Sequence, residues 1–484
     1  MSSITLASKT FTSIDQNLFA KLTGDFNPIH IDAIAARRTQ AGSIVVHGIH
    51  ALLWALEKIV EMGAGKEEIA SLRVQFTNFI YVGSQADLML LGRDEKSIRA
   101  ALVVDTLTTT NLIITLGARK GTEGIELPSA APRMHLANEP EDFVRLEELS
   151  ALNGWLDVTD PVDAIQRYFP YASSAIGGFR VAGIALLSTL VGMICPGRHS
   201  LFAGLTIDLV DQHRNQNRIG FQVSGTDERF RMVRMSVTGA GVCGSVQAFL
   251  RWPPISQAQL SDIMNIVAPT EFAGSTTLII GGSRGLGALT AKILAAGGGR
   301  VIVTYATGRA DAEELTAEIR SQTTSDTCHA LQYDIHLDAA AQLKELRAHV
   351  SHLYYFATSN IARQKSGVFV MALFDEFLEM YVNGFYECCR YLEEHGSQAL
   401  TAFYPSSVFV EHTPSAMIEY SMAKMAGEML CASMNRAGGR VHTVVSRLPS
   451  LLTDQTATVL PMDRGHPLKV MLPVIRAVQL SRTG

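Results

Sequence analysis

A chain of 484 residues with 47% apolar side chains has room for about two to four domains and several buried cores. Its net charge of −5, with no basic block, excludes nucleic acid as the main partner. The six cysteines form no C-x-x-C pair and read as reduced thiols in a cytoplasmic protein without a disulfide framework.

An opening strand leads to a helix. Ser13 with Gln16 reads as a capping box, and Ile14, Leu18 and Leu22 recur at helical spacing. Gly24 is placed to end that helix, and Asn27-Pro28 is expected to forbid restarting it at once. Asp25 and His30 are therefore expected on a loop. A carboxylate and an imidazole there can grip one water, one accepting its proton while the other donates to a substrate carbon. His47 and His50 have a spacing open to metal, but no cysteine or carboxylate set completes a site, so no metal is expected. Residues 48–62 form a long apolar helix, followed by strands at 71–76, 86–91 and 98–106.

Residues 121–150, with Pro128, Pro132 and Pro140, read as a linker. Residues 151–255 repeat the first unit: 183–187 echoes 48–53, and 203–209 echoes 70–76. The Asp-x-Asn-Pro-x-His pattern is missing from the second copy, where residues 168–174 stand instead. The most apolar run, 181–195, is shorter than a membrane span and carries Gly183, Ser188, Thr189 and Gly192. It reads as a buried helix, with no membrane partner. The N-terminus lacks a basic region followed by an apolar core, so no signal peptide is expected.

Asp25, Asn27, Pro28, His30 and Asp32, with Ile44-Val45-Val46-His47-Gly48 downstream, resemble the signature of the MaoC-like hydratases, (R)-specific enoyl-thioester hydratases with a hotdog fold. The resemblance implies that Asp25 and His30 are the catalytic pair and that the Gly48 N–H binds the thioester carbonyl. With the degenerate repeat it implies an α+β double hotdog, residues 1–120 and 151–255, with one competent half.

Beyond a second linker, residues 256–274, strands and helices alternate, which signals a parallel sheet. The strand 277–281 runs into Gly281-Gly282-Ser283-Arg284-Gly285-Leu286-Gly287 and a helix to Ala296. Such a turn lets a pyrophosphate approach the helix N-terminus. Tyr420 and Lys424 share a helix face, and the lysine is expected to lower the tyrosine pKa. Ser407 precedes Tyr420 by thirteen residues. The G-x-x-x-G-x-G turn, Asn383, Ser407 and Tyr-x-x-x-Lys resemble the short-chain dehydrogenase/reductases, an α/β Rossmann-type doubly wound fold, here over 272–484. The resemblance implies that Ser407 holds the substrate oxygen, Tyr420 and Lys424 act on it, Asn383 holds a relay water, and Asp334 lies near the adenine. Gly281, Ser283, Arg284, Gly285, Leu286, Gly287, Tyr420 and Lys424 are the other expected cofactor contacts. Three departures stand out: Phe356-Ala357-Thr358 for Asn-Ala-Gly, Pro449-Ser450 for Pro-Gly, and no clear seventh strand. No acid follows the strand 301–305, while Arg284 and Arg309 can pair with a 2′-phosphate, so NADP is expected.

Together these features lead to a bifunctional acyl-thioester enzyme: a hydratase/dehydratase joined to an NADP-dependent 3-ketoacyl reductase. Its partner would be an acyl-CoA or acyl-carrier-protein thioester, and a homo-oligomer stays open. The alternative is a non-catalytic acyl-thioester binding module attached to a reductase of unrelated ketones.

Overall fold

The computed structural model describes residues 4–63, 67–119, 131–135, 137–211, 216–323, 327–344, 346, 349–361, 367–396, 398–457 and 464–481. The chain divides after Pro253 into two units.

The first unit opens with β1 (Ile4–Thr10), α1 (Ser13–Thr23), the short α2 (Pro28–Ile31) and α3 (Ala33–Arg37), and the long α4 (Gly48–Glu61). Strands β2 (Ile69–Phe76), β3 (Gln85–Arg93), β4 (Ser97–Val104) and β5 (Leu107–Leu116) complete the first half. The second half has β6 (Asn153–Asp157), α5 (Thr159–Tyr168), α6 (Pro170–Ile176) and α7 (Gly178–Thr189), which runs on as a π-helical turn, Leu190–Ile194. It closes with β7 (Ser200–Leu209), β8 (Arg218–Asp227), β9 (Met232–Gly239) and β10 (Val242–Leu250). The ten strands among the described residues form one antiparallel sheet, β1-β3-β4-β5-β2-β7-β10-β9-β8-β6. The seam between the halves is β2 against β7, from Ser71 opposite Asp208 to Gln75 opposite Gly204. Gly204 permits that contact, since a Cβ there would stand 2.5 Å from the Val74 carbonyl. The sheet curls around α4 and α7, which are buried nearly all round, and the result is a double hotdog. The halves also brace each other through Glu57 of α4, whose carboxylate accepts from the N–H groups of Tyr171 and Ala172 at the start of α6, at 3.0 and 2.7 Å.

Several local expectations change. Thr12, not Ser13, caps α1, in a reciprocal box with Asp15. Ile14 is 80% exposed, and the buried face carries Gln16, Phe19, Ala20 and Thr23. The inward polar residue disguised the helix phase. Asn27-Pro28 starts a new helix instead of preventing one. Asn27 accepts from the Ile29 N–H and Pro28 occupies the first turn, where its missing N–H costs nothing. His30 is thus on α2, not on a loop. Gly183 lies inside α7, which begins five residues earlier at Gly178. Of the 121–150 segment, Pro128 lies outside the described residues, while Leu146 and Leu149 are buried in the core.

The second unit begins with α8 (Leu260–Met264) and alternates thereafter: β11 (Thr276–Ile280), α9 (Gly285–Ala296), β12 (Arg300–Tyr305), α10 (Arg309–Gln322), β13 (Cys328–Gln332), α11 (Ala339–Leu343) and β14 (His352–Tyr355). Then come α12 (Met371–Leu378), a π-helical turn (Glu379–Asn383), α13 (Gly384–His395), β15 (Leu400–Ser407), α14 (Ile418–Ala437), β16 (Val441–Leu448) and α15 (Pro467–Leu480). Six parallel strands are described, in the order β13-β12-β11-β14-β15-β16. This is a Rossmann-type, doubly wound sheet. The order reverses between β11 and β14, and ligands of such sheets bind beyond the strand ends at that reversal. The 256–274 segment is not a free linker: Leu260, Ile263, Val267 and Phe272 are in this unit's core.

Candidate active sites

In the first unit, the left-handed Gly24 (φ 80°) ends α1, and α2 starts at Pro28, so Asp25 and His30 flank one sharp turn. Asn27 Nδ2 ties the turn to the second half by donating to the carbonyls of Gly192 at 2.7 Å and Gly197 at 3.1 Å. Asp25 is 1% exposed. Its Oδ2 accepts from Ser188 Oγ at 2.6 Å and its Oδ1 from the Asn27 N–H at 3.2 Å. Burial pushes this carboxyl above its ordinary value, while His30, Ser188 and Asn27 pull it back. Gly192 makes room for it: a Cβ there would stand 2.2 Å from Asp25 Oδ1.

His30 Nδ1 lies 2.8 Å from the Val45 carbonyl. A carbonyl only accepts, so Nδ1 carries the hydrogen and Nε2 is left as the acceptor. Burial pulls this imidazole down to about 3, with help from His47. His47 stacks on His30, ring centres 3.9 Å apart, and its Nε2 is 3.9 Å from Asp25 Oδ2. Gln16 Oε1 meets the His47 Nδ1 at 2.9 Å and its backbone N–H at 3.0 Å. Asp25, His30 and His47 each bring a potential ligand atom within 4.8 Å of the others, a grouping the sequence spacing did not suggest. Asp25 and His30 border a cleft of about 80 Å³, lined also by Gly48, Phe76, Val191 and Phe202. Gly48 is the first residue of α4, where backbone N–H groups have no partner within the helix and the dipole favours negative charge.

In the second unit, Gly281 is left-handed (φ 72°), and a Cβ there would meet Ala357 N at 2.9 Å. At Gly287 a Cβ would stand 2.3 Å from the Gly281 carbonyl. Gly285 is different: a Cβ there would meet nothing within 4 Å. The turn, with Ser283 and Leu286, is therefore closed against the protein and open in front of α9, whose N-terminus has no side-chain cap. Such a terminus suits an anion. Arg284 reaches Asp454 at 3.4 Å, and the exposed Arg309 pairs with Glu313 at 2.7 Å. Asp334, two residues past β13, accepts from the His336 N–H.

Tyr420 and Lys424 are one turn apart on α14, and Ser407 ends β15. Ser407 is near enough to the Tyr420 phenol to favour its ionised form, while Ser406 donates to Glu428. Burial holds the phenol up at about 12. The expected lowering is absent because Lys424 is itself pushed down to about 7 by burial and its Nζ is 5.8 Å from the Tyr420 ring centre. Asn383 does not join this group. Its side chain is exposed and donates to Glu379 Oε2 at 2.6 Å. Tyr381 faces inward instead, fully buried, with its hydroxyl 2.6 Å from Thr358 Oγ1 and its ring against Tyr420. The π-helical turn changes the helix phase there, which spacing alone could not reveal.

Residues 3–112 match the model of the MaoC like domain family, and residues 275–458 that of the short chain dehydrogenases. The chain joins a MaoC-like domain to a short-chain dehydrogenase domain. Over 105 residues it is 31% identical to the peroxisomal hydratase-dehydrogenase-epimerase of Saccharomyces cerevisiae, a stretch covering 22% of this chain and 11% of that protein. The dehydrogenase domain is similar to a putative short chain dehydrogenase from Pseudomonas syringae, at 17% identity and a TM-score of 0.39, covering 44% of this chain and 92% of that one. A short chain dehydrogenase from Burkholderia cenocepacia, solved with NADP, is 22% identical with a TM-score of 0.39, covering 43% and 91%.

For the MaoC-like domain, sequence reading missed Ser188, Gly192 and His47. The first two were visible only as polar and small interruptions of an apolar run; buried in a helix, such residues are there to serve a neighbour. For the dehydrogenase domain it missed Tyr381 and its partner Thr358.

Proposed function

We propose that the chain is a bifunctional acyl-thioester enzyme. Its MaoC-like domain would interconvert a trans-2-enoyl thioester and a (3R)-3-hydroxyacyl thioester, and its dehydrogenase domain would interconvert that alcohol and the 3-ketoacyl thioester with NADP. The carrying observation is the convergence of the buried Asp25 carboxylate, the neutral His30 and the opening residue of α4 on one cleft. Asp25 and His30 take one proton from a water as its oxygen bonds C3, and return one to C2, so the site ends in its starting charge state. The Gly48 N–H holds the thioester oxygen, on which charge grows meanwhile.

On the dehydrogenase side, Ser407 orients the carbonyl oxygen and Tyr420 gives it a proton. Lys424 adds positive charge nearby. NADPH, when bound, supplies the hydride. The open glycine turn before α9 fits its pyrophosphate, and the absence of an acid in residues 305–308, with Arg284 in that turn and Arg309 just past β12, favours the 2′-phosphate form. The six free thiols suit a reducing, cytoplasmic setting.

The test is to give the intact chain a 3-ketoacyl thioester and NADPH. Enoyl thioester should appear through the (3R)-alcohol, and Asp25→Asn should stop the sequence at that alcohol. Accumulation of the (3S)-alcohol, or enoyl product from a folded Asp25→Asn protein, would overturn the reading.

A further inference from the structure

Two of the places where the dehydrogenase domain departs from its family's pattern meet. Thr358 stands where a glycine was expected after β14, and Tyr381 faces the site where Asn383 was expected; their hydroxyls are 2.6 Å apart. Beside Tyr381 and Tyr420 lies Lys424, 5% exposed. A buried ammonium has three N–H groups to satisfy. One goes to the Pro405 carbonyl at 2.7 Å. The Nζ also sits 3.9 Å from the centre of the Tyr381 ring, with Tyr404 at 5.1 Å and Tyr420 at 5.8 Å. The nearest ring is held on two sides: Phe377 stacks against it at 17° and Thr358 anchors its hydroxyl.

We propose that Tyr381 is a positioning residue of the dehydrogenase site, its ring face holding the Lys424 ammonium where a polar relay was expected. The Thr358 hydrogen bond sets the angle of that ring. This rests on the reading of Tyr420 and Lys424 as the reducing site. A cation over a desolvated aromatic face is stabilised as a cation, and it is as a cation that Lys424 can act on Tyr420. Burial works against it, and of the other groups around Lys424, Cys431 favours the charge. Tyr381 itself faces Tyr404, Tyr420 and Glu376.

The experiment follows the Lys424 ¹³Cε resonance in the cofactor-free chain against pH, assigned by its loss in Lys424→Met, beside the pH profile of ketone reduction. Tyr381→Leu should move the lysine titration down by about one pH unit, and the alkaline limb of kcat/KM should move with it. Tyr381→Phe keeps the ring face but loses the Thr358 anchor; it should move the titration clearly less than Tyr381→Leu does while lowering kcat. If Tyr381→Leu does not fold, Tyr381→Met takes its place. Equal shifts in the Phe and Leu variants, or no shift in either, would overturn the proposal. A chain that reduces no ketone, although Tyr381→Leu still moves its lysine titration, would sink the reductase reading and leave only the hold of the Tyr381 ring on Lys424 standing.

Discussion

Ser188→Ala removes one hydroxyl and nothing else from the Asp25 cleft, which makes it a clean probe of what favours the ionised form of Asp25. The Ser188 Oγ donates to Asp25 Oδ2 at 2.6 Å, and both residues are buried. A hydrogen bond to a charged group contributes about 1.5–3 kcal/mol, or roughly one to two pKa units. The bond favours the ionised form, so its loss raises a carboxyl that burial already holds above its ordinary value. Only the ionised carboxylate can take a proton from water. The acid limb of enoyl-thioester hydration should therefore move up by about one to two pH units. Hydration should fall about tenfold for each unit by which the assay pH lies below the new limb. The assay is the pH profile of kcat/KM for a crotonyl thioester, with NADPH-dependent ketone reduction by the second unit as the control. An acid limb that stays in place in the folded variant would refute the reasoning.

Gly192→Ala should be harsher than Ser188→Ala, since its Cβ would overlap Asp25 Oδ1; hydration within a factor of about two of wild type would contradict the close approach. Tyr420→Phe should abolish ketone reduction and leave hydration intact, and a variant still reducing at near the wild-type rate would remove Tyr420 as the proton donor. NADPH should bind about tenfold or more tightly than NADH, with Arg309→Ala or Arg284→Ala narrowing the gap; equal affinities in a titration would dispose of the 2′-phosphate argument. His30, His47 and His50 are pulled by burial from 6.5 to about 3. The unfolded chain then binds more protons between those values, so stability should fall as pH drops below about 6.5. His50→Gln should flatten the decline of Tm between pH 7 and 5, and an unchanged slope would show that the His50 side chain does not contribute.

The fold was legible because its signals are local. Gly24 ends α1 at the left-handed residue the sequence marked, and the glycine turn leads from β11 into α9 as its spacing demands. What failed was phase. Ile14, Leu18 and Leu22 recur at helical spacing as read, but Ile14 and Leu18 are exposed and the inward face of α1 is built on Gln16, which a buried polar network needs. Asn383 was chosen by its place in a motif, and a π-helical turn rotated it out to solvent. Ser188 could not be paired with Asp25 from the sequence at all, since the two are separated by 163 positions and meet only once the halves share a sheet.

That shared sheet has a consequence for how this chain can change over time. The half without an Asp-x-Asn-Pro-x-His supplies the hydroxyl on Asp25 and the bare backbone at Gly192, and the half with the motif supplies the carboxylate of Glu57 that starts α6. Selection on the proposed hydration would therefore act on both copies, and the copy without a motif would be no freer to drift than the other. Among relatives built this way, a serine at position 188 and a glycine at 192 should be retained as strictly as the aspartate they serve. A gene fragment ending near residue 120 would encode the motif without the means to use it.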